Sequence, residues 1–210
     1  MHDSPDFPDS MPLIDARRQF FAASGIDQDG GYKKSLFWLG LKWFRVPVPN
    51  TAGRVRAVRL HDLHHIATGY PTTWRGEAEI AAWELAGGCG RYVAAWVLNL
   101  YAFAVGIFIA PHALWRAFLR GRRCRNLYEI GFQNAGLQAP VGDLRWRLGL
   151  LSEAPAGSVR AALAFTKTVV AALSLCAVTV AVPASLAALL LVALGKNARQ
   201  KRRDLLDQKQ

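Results

Sequence analysis

Two stretches of the chain, residues 92–115 and 168–194, carry no formal charge and are apolar almost throughout. Each approaches the roughly 20 apolar residues that a membrane-spanning helix needs. Residues 168–194 are rich in Ala, Leu and Val, hold few aromatics and are interrupted by Pro183. That pattern predicts either one tilted, lipid-facing helix or a hairpin broken at the proline. Arg160 and Lys167 lie before it, and Lys196, Arg199, Lys201, Arg202 and Arg203 after it. Both flanks therefore prefer the same, cytoplasmic side, as a hairpin would require. Against the hairpin, residues 184–194 are too few to cross alone. Residues 92–115 are aromatic-rich, with Asn99 and Gly106 inside and Pro111-His112 as an interruption. Three readings stay open for them: a second span, a buried core helix, or the wall of a pocket for a long apolar ligand. On the third reading Trp96, Tyr101, Phe103 and Phe108 bind the lipid tail.

Between these stretches and the N-terminus the pattern is amphipathic. Residues 55–68 read as a helix, and Gly69 is placed to end it in a left-handed cap. Thr72 or Thr73 can cap a second helix through residues 76–84, and the turn at 69–72 would fold it back against the first. The first thirty residues hold Asp3, Asp6, Asp9, Asp15, Asp27 and Asp29 with Pro5, Pro8 and Pro12. Such a start is expected to carry neither a secretory nor a mitochondrial signal. The expected organisation is a flexible acidic tail over 1–31 with a helical turn near 14–22, then a metal-binding helical domain over 32–155. A membrane-associated segment over 160–195 and a basic polar tail over 196–210 follow. The fold class is all-α: a membrane-associated helical domain with a C-terminal hydrophobic anchor or hairpin.

Charge narrows the partners. Lys and Arg number 26 against 15 acids, a net charge of +11 with a pI near 10.1, which calls for an anionic partner. Arg116, Arg120, Arg122, Arg123 and Arg125 follow one apolar stretch directly, and the second basic cluster follows the other. Basic clusters beside apolar segments mark the headgroup region of a membrane, whereas a nucleic-acid binder places them on soluble helices. The expected partner is membrane lipid, with no nucleic acid, at the cytoplasmic face of a bacterial inner membrane. Cys89, Cys124 and Cys176 stand singly, which excludes a disulfide scaffold and a thiolate zinc finger.

The candidate chemistry sits in one place. Of five histidines, three are His61, His64 and His65. On a helix His61 and His65 project from one face, and Asp62, about 100° round, can converge on the same point. Two imidazoles and a carboxylate suit a divalent cation, and Glu77, in the first turn of the second helix, supplies a fourth ligand. His64 and Glu84 are candidates for the ring of residues around the ligands. A chance His pair, solvated or hydrogen-bonded, is the competing reading. With five histidines in all, the chain is too poor in them for the multi-box di-iron site of membrane desaturases, and it lacks the Glu-x-x-His repeats of carboxylate di-iron bundles.

The spacing His61-Asp62-x-x-His65-x(11)-Glu77 resembles the ubiquinone biosynthesis protein family called Coq-four. Thr68-Gly69-Tyr70, Gly76-Glu77-Ala78, Gly121-Arg122-Arg123 and the segment Pro140 to Leu150 are similar too. The resemblance covers roughly residues 32–151. It implies a helical, membrane-associated protein of coenzyme Q synthesis, with His61, Asp62, His65 and Glu77 as ligands of zinc, or of iron. It implies decarboxylation with hydroxylation of a prenylated aromatic ring intermediate, a quinone precursor. The alternative is a non-catalytic lipid-binding scaffold for other quinone-biosynthesis proteins, its metal structural. A homo-oligomer is expected.

Overall fold

The pattern of capping residues sets the first helices of the site. A computed structural model describes residues 6–27, 29–41, 44–151 and 157–207. Helix α1 spans Leu13–Ala23, and strands β1 (Leu36–Leu41) and β2 (Phe44–Pro49) pair antiparallel, Leu36 opposite Pro49. Helix α2 (Ala52–Thr68) begins at Thr51, whose side chain accepts from the Arg54 amide, and ends at Gly69 with φ 77°. A left-handed residue there is what glycine accommodates without strain. Helix α3 (Trp74–Gly87) begins at Thr73, whose hydroxyl accepts from the Gly76 amide. Then follow α4 (Val93–Ile109), α5 (Pro111–Gly121), α6 (Leu127–Ile130), a 3-10 turn at Gln133–Ala135, α7 (Val141–Leu148) and α8 (Val159–Asp207). The protein is helical, with one small hairpin that the sequence pattern had not assigned.

The core forms around α3. Ala78, Ile80, Ala81, Ala82 and Trp83 are buried, and the helix packs chiefly on α4 and α5. Small side chains let the backbones approach. A Cβ on Gly106 of α4 would lie 2.7 Å from the Ala78 Cβ, and one on Gly121 of α5 would strike the backbone of Trp83. Residues 92–115 are therefore not one helix. The chain breaks at Ala110, and Pro111 opens α5, where a missing N–H costs nothing. Helix α4 turns Ala95, Asn99, Phe103, Ala104 and Gly106 inward, which makes it a core helix.

The expected loose N-terminal tail is instead packed. Phe7, Leu13, Ala16, Phe20 and Phe21 are buried. The Leu13 and Ile14 amides donate to Ala139 and Leu137, and Arg145 binds Asp9 at 2.6 Å. Asp6, Pro8, Asp9 and Pro12 are exposed, on a segment whose apolar positions 13, 16 and 20 keep helical spacing. Residues 1–5 of the expected tail lie outside the described residues.

The chain divides into two compact units, residues 1–172 and 173–210. In the first, Phe165 sits with its ring centre 5.1–5.4 Å from those of Phe103, Trp115 and Phe118. In the second, the backbone stays helical to Asp207, with Pro183 inside the helix. The apolar segment is thus one helix and not a hairpin. Its portion Val159–Pro183 is long and apolar enough to cross a membrane and can serve as an anchor. Residues 208–210 of the expected basic tail lie outside the described residues.

Candidate metal centre

The second half of α2 is buried except at His61, and this brings its polar residues inside. His61 and His65 face each other across one turn, ring planes at 89° and Nε2 atoms 3.1 Å apart. Glu77, on the first turn of α3, lies beside both: its Oε2 is 3.4 Å from His61 Nε2 and its Oε1 3.5 Å from His65 Nε2. His61, His65 and Glu77 form a group that can hold a metal ion.

The far nitrogens of the two rings are already committed, which leaves the two Nε2 atoms facing each other. His61 Nδ1 lies 2.9 Å from the Glu84 carboxylate, and His65 Nδ1 lies 2.8 Å from the Tyr70 carbonyl. Both acceptors take a proton, so each Nδ1 carries one; the Glu84 and Glu77 charges raise His61 well above 6.5, so in the metal-free protein its Nε2 also carries a proton and donates to His65 Nε2, the place a metal ion would take. Two lone pairs at 3.1 Å repel unless a proton or a metal ion lies between. Ligands about 2.0–2.1 Å from a tetrahedral ion stand about 3.3 Å apart, close to the distances found. A ligating histidine whose other nitrogen donates to a carboxylate or carbonyl is the usual arrangement around a metal. The donor set therefore fits.

Glu84 is the hub behind the group. Its carboxylate is fully buried and accepts from His61, from His64 Nδ1 at 2.6 Å, from Asn99 and from the Tyr128 hydroxyl at 2.9 Å. Burial pushes this carboxyl up, but His61 and His64 outweigh it and hold the group well below the usual carboxylate range. Burial likewise raises Glu77, and His65 and His61 bring it below the usual range. His61 is moved the other way: burial lowers it, and the Glu84 and Glu77 charges raise it well above 6.5. His64 is lowered by burial. Its Nε2 accepts the Leu127 amide at 2.8 Å, so it is a neutral ring joining α2 to α6, not a member of the triad.

Asp62 does not join the triad. Its carboxylate, 6% exposed, accepts the Tyr32 hydroxyl at 2.5 Å. Burial raises its carboxyl, which the Tyr32 hydrogen bond and the two imidazoles only partly offset. The end of α2 is pinned from outside: Arg120 donates to the Thr68 carbonyl and Arg145 to the Ala67 carbonyl, both at 3.1 Å. Phe20 of α1 stacks on His65 with ring centres 5.5 Å apart. The His65 side chain is 2% exposed, that of His61 21% and that of Glu77 35%, so one side of the triad faces outward.

The four aromatics expected to bind a lipid tail do not share a wall. Phe103 is buried against Phe165, Phe108 is 78% exposed, and the Trp96 indole donates to the Gly90 carbonyl. Tyr101 is half-buried. A cavity of about 940 Å³ opens elsewhere on α4, lined by Val93, Val97 and Leu98, by Arg91 and Tyr92 just before that helix and, from α2, by Arg54 and Arg56.

The sequence marked His61, His65, Glu77 and Glu84. It missed Tyr32, Asn99, Tyr128 and Phe20. Phe20 left a signal as the last member of the 13-16-20 apolar set, and Asn99 as a polar residue inside an apolar stretch. No family model, curated protein or solved structure matches this chain.

Proposed function

We propose that this protein is a metal-dependent enzyme of ubiquinone synthesis, decarboxylating and hydroxylating a prenylated aromatic acid at a membrane surface. The observation that carries the reading is the facing pair of imidazole nitrogens, each with its far nitrogen committed to an acceptor, beside one carboxylate. The resemblance of His61-Asp62-x-x-His65-x(11)-Glu77 to the Coq-four pattern supplies the substrate class.

His61, His65 and Glu77 would hold the ion. When bound, it supplies Lewis acidity toward the substrate's carboxylate or adjacent phenol oxygen, stabilising the negative charge that builds as carbon dioxide leaves. Zinc is the metal of the resemblance. Two histidines and one carboxylate are equally the triad of non-haem iron oxygenases; with iron, dioxygen would be the oxidant, one oxygen atom entering the ring as hydroxyl as carbon dioxide leaves and the other leaving as water with two electrons from an external reductant. Glu84 and the Tyr70 carbonyl orient the two rings. The outward side of His61 and Glu77 leaves room for substrate, which favours catalysis over a closed structural site.

The cavity beside α4 holds none of the three ligands, so it would take the apolar tail and not the reacting carboxylate, along Val97, Leu98 and Tyr92, at about 0.8 kcal/mol per buried CH₂. Helix α8 would anchor the enzyme in a bacterial inner membrane, its basic residues on the cytoplasmic side. The test is turnover by metal-loaded, detergent-solubilised protein without partners. His61→Ala and Glu77→Gln should abolish both metal content and turnover; turnover at the wild-type rate in metal-free variants would contradict the reading.

A further inference from the structure

Four residues make up the sequence motif, but three make up the triad, and the fourth is held by a residue thirty positions away. Tyr32 is built into place. Asn50 Nδ2 donates to the carbonyls of Gly31, Tyr32 and Lys34 at 2.8–3.4 Å, fastening the segment to the end of β2. Phe21 packs edge-on against the Tyr32 ring, and the Arg59 guanidinium lies 4.9 Å over it. A Cβ on Gly30 would overlap the ring. Everything around this phenol keeps its hydroxyl on Asp62.

Asp62 is near enough to matter. It follows His61 directly on α2, yet its carboxylate stays outside the group of donor atoms within 4.8 Å of one another that His61, His65 and Glu77 form. Moved onto a cation there, it would close the fourth position, because two imidazoles and two carboxylates complete a tetrahedron. We propose that Tyr32 is a positioning residue: by holding the Asp62 carboxylate it limits the protein to three ligands and keeps a coordination position for substrate.

This rests on the metal reading above and extends it. A hydroxyl-bound carboxylate is a poorer ligand than a free one, so Tyr32 trades metal affinity for an open position. Removing the hydroxyl frees Asp62 to move onto the ion.

The test is zinc titration of the full-length protein in detergent, with cobalt absorption spectra as a second readout. Tyr32→Phe should bind zinc about tenfold more tightly, the low end of what residues around a metal site are worth. It should also change the cobalt spectrum. Tyr32→Phe/Asp62→Asn should return both readouts to wild type, and Asp62→Asn alone should leave zinc affinity unchanged. Two results overturn the proposal: Tyr32→Phe indistinguishable from wild type, or Asp62→Asn weakening zinc as His61→Ala does. If wild type binds zinc no better than His61→Ala, the metal reading falls and this falls with it; the two failures are thereby told apart.

Discussion

Glu84 shows how much one side chain organises. It is buried without exposure and takes four donors from three other elements. A buried carboxylate is tolerable only when so surrounded. Glu84→Gln turns an amide N–H toward groups that need an acceptor. It is expected to cost about 3 kcal/mol, the low end for removing one partner of a buried pair, read by denaturant unfolding. Metal affinity should fall about 10–100-fold as well.

The same residues set the pH response of the metal-free protein. His61 is raised above 6.5 in the fold, so its contribution is whole below 6.5 and is lost as pH rises through its folded value. His64 is lowered, so its contribution is present above 6.5 and is lost as pH falls through its folded value. Glu77 and Glu84 are lowered, and their contribution is lost below 4.5. Asp62, raised from 3.8, offsets part of that acid limb. Stability measured by denaturant should therefore peak near pH 6.5, falling gently below it and more steeply below 4.5. A curve still rising from pH 6.5 to 8 would contradict the assignment of His61.

At the scale of elements, close approach of α3 to its neighbours decides the geometry. Gly121 meets the Trp83 backbone, one residue before Glu84. Gly121→Ala gains up to about 1 kcal/mol of helix propensity but forces rigid backbones apart. Overpacking of this kind costs about 1–3 kcal/mol, so a net drop in melting temperature is expected. Helices were the part of the fold most legible in the sequence. Gly69 and Thr73 marked the end of α2 and the start of α3 by capping chemistry, and the four-residue interval between His61 and His65 placed both rings together; α2 begins three residues before the expected 55, at the Thr51 cap. Helix α1 was obscured because its acids and prolines dominate the composition while Leu13, Ala16 and Phe20 keep helical period. The hairpin was missed although Leu36–Leu41 and Phe44–Pro49 carry the branched and aromatic residues typical of strands. Contacts such as Tyr32 with Asp62 and Tyr128 with Glu84 join positions 30 and 44 apart, and no local pattern encodes them.

At the scale of the whole molecule, a basic chain carries a metal-ready triad in one compact unit and, beginning in that unit, an exposed apolar helix. Val159, Leu163, Val170, Val178 and Val180 of that helix are exposed, a surface that water does not favour. A lipid bilayer would cover it. Val170→Asp should move the protein from the membrane fraction toward the soluble one, because a charge at the centre of a span costs about 2.5–3.5 kcal/mol. Unchanged resistance to carbonate extraction would count against a spanning role for α8.

Central to the account is one cation held by His61, His65 and Glu77. The most direct measurement is X-ray absorption at the metal edge of zinc-loaded protein. The expected shell holds two imidazole nitrogens and carboxylate or water oxygen at about 2.0–2.2 Å, with the imidazole signature halved in His65→Ala. A shell of oxygen alone, or a spectrum unaltered by that substitution, would contradict it.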